Sequence, residues 1–122
     1  MCGYDGKVDT TPVGLDAAHV RWWAAGGPDT LDHGLALCAL HHKALDLGVL
    51  GISEEHRIQV SRAFHGGQRA QALVASLAGH PLALPQPGAP TLSEIHRGWH
   101  AREVFREPPR QLAAAAEADS PP

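Results

Sequence analysis

Residues 34–48, "GLALCALHHKALDLG", decide how this chain is read. "LALC" is a short apolar strand, and "ALHHKALDLG" is a short helix closed at its C-terminal end by Gly48. Cys38 stands at the strand-to-helix turn, three residues before His41 and four before His42. Two ligands three residues apart at such a turn can converge on one ion, as in half of a tetrahedral zinc knuckle. His41 and His42 are neighbours, so on a helix they point about 100° apart and do not easily serve the same ion. One of them needs another partner.

Cys2, in a Gly-rich turn, is the candidate to join Cys38 and His41 around a metal. A Cys2–Cys38 disulfide is the rival reading, as is a buried cysteine beside a surface histidine. The flanking histidines favour ligation, and with it a reducing, cytoplasmic setting.

Working outward, residues 13–23, "VGLDAAHVRWW", have extended character, although "LDAAH" alone suits a helix. We read them as a strand, followed by a loop over residues 24–34. The order is then strand, loop, strand, helix, with His19, His33 and His42 on strand, turn and helix. Residues 2–12 form a turn-rich knuckle punctuated by Gly3, Asp5, Gly6, Asp9 and Pro12. Downstream, "VLGI" and "HRIQVS" are a pair of short strands around the polar turn 53–55. Ala70, Leu73, Val74 and Leu77 fall at helical spacing, ending at Gly79 and Pro81. "LPQPGAP" is a connector, Ser93 caps a helix over residues 94–106, and "EPPRQLAAAAEADSPP" terminates it as a loose tail.

The 122 residues suit one domain with a thin core of Leu, Val and Ala, of the size that often relies on a metal staple. A formal charge of −3 argues against attachment to nucleic acid by bulk positive charge alone. Basic residues are instead concentrated in the C-terminal half: residues 63–110 carry five arginines against three acids. No apolar run approaches the roughly 18 residues of a membrane span, and the first ten residues do not read as a signal peptide.

The series His19, His33, His42 resembles the HNH, or ββα-metal, nucleases, named for His, Asn and His on these elements. The likeness is strongest to the nuclease domains of McrA-like, modification-dependent restriction enzymes, including the phosphorothioate-dependent type. It is carried by "GYDG", "GLDAAHVRWWAAGGPDT", "HGLALCALHHKALDLG", "HRIQVS" and "WHAREVF", which span Cys2 to about Arg110. It implies an α+β fold: a small ββα-metal unit with a zinc knuckle, extra short strands and two flanking helices. Residues 1–110 would be the nuclease-like domain and 111–122 a disordered tail.

By this resemblance His19 is the general base on the attacking water, a task a neutral imidazole suits near pH 7. His42 would hold a catalytic Mg²⁺ or Mn²⁺, with Asp16 supporting the metal or pairing with a histidine, and His41 is left for zinc. His33 stands where asparagine is usual, either orienting the base or acting as a second metal ligand. The family's first knuckle usually presents C-x-x-C, and Cys2 falls on its second cysteine. Either the chain is shortened at its start, or a substitute fourth ligand completes the shell: the Cys2 α-amine if Met1 is removed, a water, or another histidine.

Arg21, Lys43 and the arginines of the last helix would contact DNA, positioning it without specifying sequence. Of Trp22 and Trp23, at least one is expected in the core. His96 and His100, one helical turn apart, are expected to be structural or partner contacts. The implied function is a metal-dependent DNA endonuclease of restriction or defence, with modification recognition left to a separate protein or domain. The alternative is a catalytically weak or inactive zinc-supported DNA-binding module derived from such a nuclease.

Overall fold

The computed structural model describes residues 1–22, 34–83, 88 and 90–111, and shows a small α+β fold of short antiparallel strand pairs and three helices. The expected loop 24–34, apart from Gly34, lies outside the described residues. So do His33, Trp23, most of the proline-rich connector and residues 112–122.

Strands β3 (Leu15–His19) and β4 (Gly34–Cys38) pair antiparallel, from Leu15 opposite Cys38 to His19 opposite Gly34. Their alternation fixes which side is core. Ala18 and Leu37 are buried, whereas Ala17 and Ala36, opposite each other, face out.

Helix α1 (Ala39–Asp46) starts directly after Cys38, which holds an extended backbone and acts as N-cap without a side-chain bond. Its buried residues His41, Ala44 and Leu45 form the i, i+3, i+4 stripe that lays the helix on β3 and β4. The helix stops where the sequence says it should. Gly48 takes φ +79°, and a Cβ there would run into the carbonyl of Val104, so glycine is required twice over.

Hairpin β5 (Leu50–Ile52) and β6 (Ile58–Val60) supplies the centre of the core, with Leu50, Ile52, Ile58 and Val60 all buried. Leu50, Ile58 and Val60 join Ala18, Leu37, Ala44, Leu45 and Val74 in one cluster, against which Met1 packs. Helix α2 (Gln68–Leu73) runs through Val74 into a 3₁₀ turn at Ala75–Leu77. Helix α3 (Glu94–Glu103) lies on β5. There Arg97 is buried, donating to the Ile52 carbonyl at 2.9 Å and bridging to Glu94. The Glu94 bond holds the Arg97 guanidinium above its usual pKa, and the same bond holds the Glu94 carboxyl below the ordinary range.

Four expected boundaries shift. The strand read over residues 13–23 is confined to Leu15–His19, because Val13 spends its N–H on the Gly6 carbonyl. That bond closes the opening knuckle, which itself contains a two-residue hairpin, β1 (Lys7–Val8) with β2 (Thr11–Pro12). The helix expected through Leu77 breaks at Val74, whose φ of −125° leaves the helical region so that its side chain can enter the core. The last helix ends at Glu103 rather than 106: the N–H groups of Val104 and Phe105 both bond the His100 carbonyl. Phe105 then covers Gly51, and Arg106 pairs its N–H with the Gly48 carbonyl.

Candidate active site

Two clusters of donor side chains meet on the first turns of α1. Cys38 at its N-cap and His41 one turn in approach each other, His41 Nδ1 lying 3.2 Å from Cys38 Sγ. Cys2, brought over by the opening knuckle, puts its Sγ 3.7 Å from Cys38 Sγ. Donor atoms of all three lie within 4.8 Å of one another. Two thiolates at about 2.3 Å from a tetrahedral ion sit about 3.7 Å apart, so the Cys2–Cys38 separation fits two thiolates sharing one metal ion. Three ligands of such a site are present among the described residues.

The far side of the His41 ring is held by backbone. His41 is 3% exposed, and its Nε2 lies 2.8 Å from the Leu73 carbonyl at the end of α2. A carbonyl only accepts, so Nε2 carries the hydrogen and the Nδ1 lone pair is turned to Cys38. Backbone of α2 thus orients the ring for metal, the arrangement usual for a ligating histidine.

His42 points elsewhere, as helical geometry requires. Its Nδ1 is 2.8 Å from Asp16 Oδ2 on β3, and its Nε2 is 3.4 Å from Asp46 Oδ2, four residues along α1. All three side chains are partly exposed, at 29% for His42, 44% for Asp16 and 38% for Asp46. The two carboxylates lie at opposite ring nitrogens and so do not converge with His42 on one point: Asp16 holds Nδ1 and orients the ring, and Nε2 faces Asp46. Asp46 was missed in the sequence, although its i+4 spacing from His42 is a usable signal.

His19 is half-buried at the end of β3 opposite Gly34. Beyond it, the Arg21 guanidinium lies 5.9 Å from the ring centre of Trp99 on α3, and Trp22 meets the same ring edge-on at 5.7 Å. Trp22 remains 41% exposed, so it is not a core residue. Lys43 is exposed on α1. His100 belongs to the scaffold: it is 2% exposed, with Nε2 at 2.9 Å from the Leu45 carbonyl. Burial pushes its pKa below the usual imidazole value, against smaller opposing effects of the Leu45 carbonyl and Asp46.

No family model matches the chain, and no curated protein matches it significantly. Among solved structures it is similar in fold to a modification-dependent TagI restriction endonuclease, with a TM-score of 0.63 and 22% identity. The match covers 86% of this chain and 32% of that one, so the chain spans about a third of the neighbour's length and shares its fold over that part.

Proposed function

We propose that the protein is a metal-dependent DNA endonuclease of the HNH, or ββα-metal, type, acting in restriction or defence. The observation that carries this reading is the placement of His19 on β3 and His42 on α1 of one strand–strand–helix unit, with Asp16 against His42. The fold neighbour, by name a restriction endonuclease, is consistent with it.

His19 takes the proton from the attacking water, and the β3–β4 pairing holds its ring at the end of the strand. His33 keeps the role the resemblance gives it, orienting the base or ligating metal. His42 would hold Mg²⁺ or Mn²⁺ through Nε2, on the side of Asp46, with Asp16 orienting the ring through Nδ1. When bound, the ion supplies positive charge to the phosphorus centre and the departing 3′ oxygen. Cys2, Cys38 and His41 hold a structural zinc that fixes the start of α1. Arg21 and Lys43 contact the DNA backbone, and modification recognition belongs to a separate domain or protein.

The test is plasmid nicking with Mg²⁺, Mn²⁺ or EDTA. His19→Ala should lose most turnover, roughly 100-fold or more as expected for a lost general base, with fold and DNA binding retained. Equal cutting by parent and variant would remove His19 from the mechanism. Metal-independent DNA binding without any cleavage would favour the non-catalytic module.

A further inference from the structure

The segments after β6 and after α3 run antiparallel through a bridge between Ser61 and Pro109. Backbone bonds secure it on both sides: Arg62 N–H donates to the Pro108 carbonyl at 3.0 Å, and Arg110 N–H to the Val60 carbonyl at 2.7 Å. Ser61 is fully buried. Since neighbouring residues of extended chain face opposite sides, Arg62 and Arg110 project away from Ser61 and Pro109, diagonal to each other. Together with Gln111 they line an open cavity of about 240 Å³.

Among the described residues no carboxylate lines that cavity and neither guanidinium forms an ion pair. Arg110 donates to the Phe64 carbonyl, which sets the direction of its fork, while the Arg62 side chain has no partner among the described residues. Two cations converging on one cavity repel, and an oxyanion between them reverses the sign of that interaction. Planar guanidinium forks plus an amide suit the several acceptor oxygens of a phosphate. The positive character does not end there. Arg106, exposed and bonded through Nε to the Leu47 carbonyl at 3.0 Å, lines the adjoining cavity with His65. Leu47, the C-cap of α1, lies five residues past His42, about 7.5 Å along the axis, or roughly two nucleotide steps of a duplex strand.

We infer that Arg62, Arg110 and Gln111 form a phosphate site that holds the backbone of duplex DNA apart from the residues that cut it, an inference resting on the nuclease reading. Arg106 lies between this site and α1 as a further contact on the same track.

The experiment is fluorescence anisotropy of a labelled duplex over a salt series without added Mg²⁺ or Mn²⁺. Arg62→Ala should weaken binding about 5- to 10-fold at low salt and flatten the log–log salt slope by about one unit, with melting temperature unchanged. Arg62→Lys should keep the slope and lose part of the affinity, and Arg62→Glu should weaken binding further than alanine. If the parent binds DNA and cuts it with His19 dependence, yet Arg62→Ala matches the parent in affinity and slope, the site is wrong and the nuclease reading stands. If calorimetry shows inorganic phosphate binding that needs Arg62 while duplex affinity is indifferent to it, the ligand is free phosphate and the DNA assignment falls. A parent that neither binds nor cuts DNA overturns both.

Discussion

His42 has a carboxylate beside each ring nitrogen, one from β3 and one from its own helix, and the two make different predictions from those for its neighbour His41. Asp16→Asn and Asp46→Asn should each weaken Mn²⁺ binding by about 10- to 100-fold, measured by calorimetry, because either a ligand or its orienting partner is lost. Zinc content should not change in either. Cys38→Ala should do the reverse, lowering bound zinc and the melting temperature together, since metal-binding energy in a small metallo-domain is folding energy. His42→Ala should retain its zinc. His33→Asn should preserve or raise nicking activity if the imidazole only orients the base. A large loss, with altered metal dependence, would make His33 a ligand.

At the scale of elements, helix α1 is the part that matters, because its N-terminal turn carries both clusters and its C-terminal turn is locked to the end of α3. Gly48 is the lock. It is left-handed, it lies against the Val104 carbonyl, and its own carbonyl accepts from Arg106 N–H. Gly48→Ala should therefore cost at least about 1 kcal/mol of stability in denaturant titration, more than a solvent-exposed glycine in the same conformation. Gly51 makes a second test on the neighbouring strand: a Cβ there would sit 2.6 Å from the Phe105 ring. Gly51→Ala should cost about 1–3 kcal/mol through overpacking and loosen α3 from β5.

For the molecule as a whole, His100 links stability to pH. Its pKa is depressed in the folded protein, mainly by burial, so folded and unfolded states are both neutral above the ordinary imidazole value. As pH falls below about 6.5 the unfolded chain takes up a proton that the folded chain resists, and stability declines until the lower folded pKa is passed. Thermal melts between pH 7.5 and 5 should show that decline in the parent. His100→Gln should flatten it, with an overall loss of stability from the altered bond to Leu45.

What the sequence determined by itself was local. Spacing alone put Cys38 and His41 on one turn, turned His42 away from them, and ended α1 at Gly48, because helical pitch and the left-handed preference of glycine need no tertiary partner. The short strand pair over residues 50–60 was legible for the same reason, as apolar runs on either side of a polar turn. The tertiary structure decided what came from a distance. Asp16 is 26 residues from His42, Cys2 is 36 from Cys38, and Leu73 is 32 from His41, and no periodicity records which of these approaches will be made. It also set the strand and helix ends, where Val13, Val74 and Phe105 left their elements for a hydrogen bond or a place in the core. Local propensity is worth tenths of a kcal/mol per residue, whereas burying one such side chain is worth about 1.5–3 kcal/mol, so packing wins at the boundaries.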